Sequence, residues 1–123
     1  MADQDQKKLL LAGVAGWNKW RGENPDILPD LAGANLSGAK LSGANLRNAD
    51  LYYANLSDAD LSGADLFEMY IANANLTGAN LHGADLRGAN LSDANITRAD
   101  LSEADLTGAN LEGAIGLPIP PPE

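Results

Sequence analysis

At 123 residues the chain has single-domain length, and it contains no cysteine, so neither disulfides nor thiolate metal sites are open to it. A formal net charge of −9 argues against binding nucleic acid through its phosphates and leaves room for a cationic protein partner. No segment reaches the ~20 apolar residues of a membrane span, so no membrane association and a cytoplasmic setting are expected.

The first element in chain order is an amphipathic helix over residues 4–21. Leu9, Leu10, Gly13, Val14, Trp17 and Trp20 share one broad face, with Lys7, Lys8, Asn18 and Lys19 off it. Asp3 and Gln6 have the spacing of a capping box, and Gly22 followed by Pro25 supplies a stop. Lys7 and Lys8 before three leucines have the outline of a secretory leader. Asp3, Asp5, Gly13 and Gly16 interrupt it, so no cleaved signal is expected. Too few basic residues flank the apolar face for a membrane-surface helix. Residues 1–25 therefore predict a lid and linker, with Gly13 and Gly16 allowing the helix to pack closely over the Leu31 end of the chain.

From Leu31 onward every fifth residue is Leu or Ile, through Leu111. Ala stands two places earlier in each unit from Ala34 to Ala109, with Met69 the one departure, and the residue just before each Leu or Ile is Asn or Asp except at Lys40 and Tyr70. A step of five turns a helical side chain by about 140°, scattering the leucines around the whole circumference. On a continuous strand an odd period changes face at every repeat. Only a chain that turns a corner once per unit can aim every Leu at one axis. The residues preceding each Leu or Ile match most often at a separation of 20, as in Asn35, Asn55, Asn75 and Asn95. Four sides per coil follow. Glycines such as Gly33, Gly38 and Gly63 at the last place of many units suit the corners.

The A-(N/D)-L-x-x run from Leu31 to Ala114 resembles the pentapeptide repeat family, and the W-N-x-W-R-x-x-N-P stretch from Trp17 to Pro25 is similar to leaders of its cyanobacterial members. The resemblance implies an all-β solenoid, a right-handed quadrilateral β-helix of about four coils over residues 26–115, beneath an N-terminal α-helical cap. At the ~4.8 Å spacing of paired strands the stack is about 20 Å tall. Residues 116–123 form a proline-rich tail that ends the repeat. The last coil is left to be covered by Leu117 and Ile119, or by a weak end-to-end homodimer through the C-terminal coil; a monomer is the alternative.

Catalytic groups are scarce, and neither an enzyme nor a cofactor is expected. His82 shares an outward column with Ser62 and Ser102, but such a face offers no oxyanion donors and no walls against water. GANLSGAK, residues 33–40, lacks the adjacent Gly-Lys and the strand–loop–helix setting of a phosphate loop. The column Asp65, Asp85, Asp105 invites a bridging divalent cation; a solvated acidic face with somewhat raised carboxylate pKa values is preferred. One neighbourhood departs from the pattern. On a 20-residue coil Arg47, Phe67 and Arg87 form one column, Tyr70 lies around the adjacent corner with Glu68 between, and Tyr52 and Tyr53 begin the neighbouring side one coil earlier. Aromatic and Arg residues are the common anchors of protein interfaces. These seven are the candidate binding patch, or else bulk covering an irregularity at Met69. The leading expectation is a non-enzymatic interaction module with an unidentified protein partner. The alternative, an acidic mimic of DNA acting on a topoisomerase such as gyrase, fits the charge; at about 20 Å the stack spans only about six base pairs.

Overall fold

The computed structural model describes residues 2–117. The chain forms α1 (Gln4–Ala12), α2 (Val14–Glu23) and then a coil whose sides pair through single parallel bridges, each joining residues 20 apart. One column of bridges runs Asp30, Asp50, Tyr70, Asn90, Asn110; the next runs Asn35, Asn55, Asn75, Asn95, Ile115. Four such columns make the four sides, from Asp30 to Ile115.

Each corner is built the same way. In the unit at Leu36, the Ala39 N–H returns to the Leu36 carbonyl at 3.1 Å. The residue before Ala39, Gly38, has φ +68°. Positive φ at the second central position, after a residue of negative φ, is the pattern of a type II turn. Coil-to-coil bonds alternate in direction: Leu31 N–H donates to Asp50 O at 2.8 Å and Asn55 N–H to Ala34 O at 2.9 Å. The Leu or Ile of every unit from Leu31 to Ile96 is buried, and the Ala two places before packs beside it. Each buried Leu contributes roughly 1.5–3 kcal/mol before entropy is counted.

The lid differs from the single helix predicted. Gly13 has φ +148°, a conformation that side-chain-bearing residues avoid, and it breaks the segment into two helices, the second running past Gly22 to Glu23. Close packing is not the reason for the glycines, since a Cβ at Gly13 or Gly16 would meet nothing within 4 Å. The capping box is half made. Asp3 Oδ1 accepts from the N–H groups of Asp5 and Gln6, but the Gln6 side chain turns away to accept the Asp30 N–H at 2.7 Å.

That detour satisfies an edge. The first coil has no preceding coil, and groups of the lid take its place on two sides. Asp3 N–H donates to Asp30 O at 2.9 Å, on the side where Gln6 accepts. On another side Trp17 Nε1 donates to Asn45 O at 2.8 Å, and Asn18 both accepts the Asn45 N–H at 2.7 Å and donates to Gly43 O at 3.0 Å. Asn18, expected on the outer face, is thus a peg. Arg21 is only 8% exposed and spreads its guanidinium over three carbonyls: Asn45 at 3.2 Å, Ile27 at 3.0 Å and Arg47 at 2.6 Å. Burial lowers its pKa from the ordinary value, with Asp65 opposing that shift. Leu10 and Trp17 are buried against the coil, with Leu9, Val14 and Trp20 half-buried around them.

Among the described residues the other end is less covered. Leu101, Leu106 and Leu111 are only half-buried, while Ile115 and Leu117 are 57% and 40% exposed. Ile119 and the prolines of the tail lie outside the described residues.

Arg21→Ala strands the Ile27 and Arg47 carbonyls at the top of the stack, while Asn45 keeps the Trp17 donor. Bonds from a charged donor contribute roughly 1.5–3 kcal/mol, so urea unfolding is expected to show a loss of about 3 kcal/mol. Arg21→Lys recovers only part, because an ammonium cannot reach three carbonyls in a plane.

Candidate functional site

The Asn or Asp of each unit has a task beyond its bridge. Its Oδ1 accepts the N–H two residues on, past the buried Leu: Asp50 from Tyr52 at 3.0 Å, Asn55 from Ser57 at 3.0 Å, Asp100 from Ser102 at 2.9 Å. This Asx bond serves an N–H that faces outward at the corner and has no place in the coil-to-coil ladder. Lys40 and Tyr70 have no such acceptor, and the N–H groups of Ser42 and Ala72 donate to nothing among the described residues.

Tyr70 therefore sits where the repeat wants a carboxylate or amide. Its ring, 41% exposed, stacks on Tyr52 with centroids 5.6 Å apart and planes at 22°. Tyr53 meets Tyr52 edge-on at 4.3 Å and 76°, and is itself 61% exposed. Tyr53 stands at a positive-φ corner, at +61°, in the column that carries Gly33 above it and Asn73, Asp93 and Gly113 below. Hydrogen bonding with Tyr53 raises the Tyr52 phenol above its ordinary pKa, and burial with the nearby Tyr53, Tyr70 and Asp93 adds to the shift.

Phe67 is a separate stack. Arg47 lies over one side of its ring at 4.5 Å and Arg87 lies over it at 5.1 Å from the adjacent coil on the other side. Each guanidinium also meets a carboxylate, Arg47 with Asp65 at 3.5 Å and Arg87 with Asp85 at 2.7 Å. No ring pair joins Phe67 to the tyrosines among the described residues. Glu68, at φ +53°, lies over Gly88, with its Cγ 3.1 Å from where a Cβ there would stand. Met69 is buried in the Ala column, and the rungs Asp50–Tyr70 and Tyr70–Asn90 beside it are intact. The coil takes up the longer side chain without losing its register.

Two further readings change. Raised pKa values in the column Asp65, Asp85, Asp105 are corrected for two of its members. Asp85 is lowered, chiefly by hydrogen bonding to Arg87, and Asp105 is lowered, chiefly by the Thr107 hydroxyl. Local donors outweigh the like charge one coil away. Among the described residues no cluster of three or more His, Asp or Glu side chains is arranged to hold a metal. His82 Nδ1 does meet Ser102 Oγ at 2.8 Å, but the Ser102 hydroxyl donates to Asp100 Oδ1 at 2.6 Å. With the serine proton committed to the carboxylate, the ring must donate to Oγ, the reverse of what a general base does.

Sequence reasoning passed over Arg21 and Asn18. Trp17 and Arg21 at i and i+4 on one helical face were the available signal, since an indole N–H and a guanidinium aimed the same way need something to bond.

The family description "Pentapeptide repeats" matches the chain in eight copies over residues 30–66 and 73–114. The chain is 39% identical to Rfr23, a pentapeptide repeat protein from the cyanobacterium Cyanothece 51142. The superposition has a TM-score of 0.55 and covers 71% of this chain and 63% of that one, so the chain spans a little under two thirds of the relative's length. It is 32% identical to a pentapeptide repeat protein from the Arabidopsis thaliana thylakoid lumen, TM-score 0.49, over 76% of this chain and 69% of that one. It is 36% identical to HetL of Nostoc sp. strain PCC 7120, a protein involved in heterocyst differentiation regulation, TM-score 0.38, over 70% and 44%. A comparison with curated proteins returns no match. No helix among the described residues is long and apolar enough to cross a membrane.

Asp60, Asp85, Asp100 and Asp105 are all held below the usual carboxylate pKa, by Ser62, Arg87, Ser102 and Thr107 respectively. A depressed folded-state pKa stabilises above the unfolded value near 3.9 and is lost as pH falls through the folded one. Replacing all four by Asn keeps the Asx acceptor and removes the titration. Between pH 5 and pH 2 the melting temperature of the wild type is expected to fall further than that of the fourfold variant, by thermal circular dichroism.

Proposed function

Because this chain belongs to the pentapeptide repeat family, whose members are generally structural and interaction scaffolds, we propose that it is a non-enzymatic docking module. Its contact surface is the tyrosine corner of Tyr52, Tyr53 and Tyr70. The single observation that carries this reading is an aromatic ring at Tyr53, at φ +61° and 61% exposed, where Glu68, Arg98 and Glu103 at the same turn position bear charged side chains that water solvates. A left-handed conformation costs a residue with a Cβ roughly 1–2 kcal/mol, and Tyr53 recovers little of that by burial. Tyr70 likewise forgoes the Asx bond that its unit would make with Asn or Asp. Neither residue is what folding alone favours at its position.

Within the seven candidates the roles then divide. Phe67 has Arg47 on one side and Arg87 on the other, which makes that column a staple between coils, with Glu68 packed over Gly88 beside it. Tyr53 and Tyr70 offer free ring surface. The break in the repeat match between residues 66 and 73 takes in Tyr70, whereas Tyr52 and Tyr53 lie within the matched segment. A right-handed quadrilateral coil, as in the family, would place the corner on an open side wall.

A weak homodimer through the C-terminal coil is proposed alongside. The half-buried Leu101, Leu106 and Leu111 favour it, and the lid at the other end leaves only a symmetric, self-limiting contact.

The test restores the repeat. Tyr53→Gly with Tyr70→Asn returns the turn glycine and the Asx acceptor while losing two ring contacts of roughly 0.5–1.5 kcal/mol each. Relief and loss nearly cancel, so unfolding free energy is expected within about 1 kcal/mol of wild type, while capture of the partner from source lysate is lost. A variant that loses several kcal/mol, or keeps its partner, overturns the reading.

A further inference from the structure

The unit Asp65-Leu66-Phe67 and the unit Asp50-Leu51-Tyr52 are the same arrangement, a carboxylate, a buried Leu and an outward ring. In both, the Asp Oδ1 accepts the ring residue's own N–H, at 3.2 Å for Phe67 and 3.0 Å for Tyr52. The neighbours one coil above and below differ. Phe67 has Arg47 and Arg87; Tyr52 has Ala32 and Ala72. Around Phe67 the upper guanidinium stands 4.5 Å from the ring centroid and ion-pairs with Asp65 Oδ2. Around Tyr52 the equivalent oxygen, Asp50 Oδ2, has no hydrogen bond or ion pair among the described residues. Ala72 on the lower coil is buried and Tyr70 already lies against Tyr52, whereas Ala32 above is only half-buried. Where Arg47 stands above Phe67, the register puts only the methyl side chain of Ala32 above Tyr52, between the Asp30 and Asp50 sides of the first two coils.

We propose that this place receives an arginine side chain from a segment of the partner protein, stacked on Tyr52 over Ala32 and ion-paired with Asp50. The inference rests on the docking reading above and specifies the chemistry of its partner. A chain of net charge −9 favours a basic segment over an acidic one. The geometry favours arginine over lysine, because a planar guanidinium can stack on a ring and meet a carboxylate at once, as Arg47 does on the neighbouring side of the coil.

The protein can be made to supply the missing group itself. Ala32→Arg places a guanidinium one coil above Tyr52, as Arg47 stands one coil above Phe67. The probe is the capped pentapeptide Gly-Gly-Arg-Gly-Gly, titrated at millimolar concentration against the full chain in ¹H–¹⁵N spectra at low salt, beside its lysine counterpart. Saturable shifts are expected at Ala32, Asp50, Tyr52 and Tyr53, several-fold tighter for the arginine peptide. Ala32→Arg should abolish them with the melting temperature kept or raised, and Ala32→Ser should preserve them. Absence of saturable shifts, shifts spread over the side bearing Asp60 and Asp100, or shifts that persist in Ala32→Arg would each overturn the proposal. Its failure is separable from that of the docking reading: partner capture that still depends on Tyr53 and Tyr70, without peptide binding, leaves the surface and removes the arginine.

Discussion

Everything in this protein depends on turning the backbone through a corner once every five residues while keeping each side in register with the coil 20 residues away. The corner needs a positive φ at the last place of the unit, met by glycine in most units and by Asn48, Asp58, Asn73, Asp93 and a few others elsewhere. Once that turn is made, the remaining positions have little freedom. The Leu points at the axis, the Ala fits the narrow interior beside it, and the Asn or Asp supplies the one acceptor that neither the turn nor the ladder provides for the N–H at the corner. The repeat motif is therefore a set of backbone requirements more than a set of side-chain contacts.

A stack held by its ladder has two exposed edges, and the two are treated differently. At the top, the lid presents substitutes for peptide groups. Asn18, with an amide that accepts from Asn45 and donates to Gly43, imitates the unit of a preceding coil, and Arg21 supplies donors where three carbonyls converge. The bottom has leucines half open to solvent. In a solenoid, where each coil is stabilised by its neighbours, an unmatched edge is the place where unfolding begins or another surface is met.

The coil itself was legible because the requirements are periodic. Asn35, Asn55, Asn75 and Asn95 recur at the separation that the bridges realise, and the Arg47, Phe67, Arg87 column follows from that register alone. The hidden features depend on groups that do not repeat. The break at Gly13 was hidden because a single glycine inside a helix is tolerated at a cost of about 1 kcal/mol; only the need to serve Asp30 from α1 and Asn45 from α2 makes it a break. The lowered pKa values of Asp85 and Asp105 were hidden because like charges in a column are visible in sequence, whereas the hydroxyl of Thr107 and the fork of Arg87 act through geometry. The candidate patch reads as one cluster in the sequence and is two in the fold, since adjacency says nothing of which ring faces are already occupied.

That division is where the demands of folding and the proposed contact part company. Local propensity, turn chemistry and polar satisfaction point the same way in most units, as a foldable sequence requires. At Tyr53 the turn chemistry is violated, at Tyr70 the Asx acceptor is lost, and the two side chains meet through Tyr52. Nearby, Phe67 breaks the pattern in size too, but it is compensated by Arg47 and Arg87, each with its carboxylate. Arg98 and Glu103 share the positive φ and the exposure of Tyr53, but only at the tyrosine corner does a strained turn join a lost Asx acceptor in one aromatic cluster. Tyr53, strained and exposed, and Tyr52, which lacks the cation that Phe67 possesses, are the residues for which the proposed contact with a partner would account.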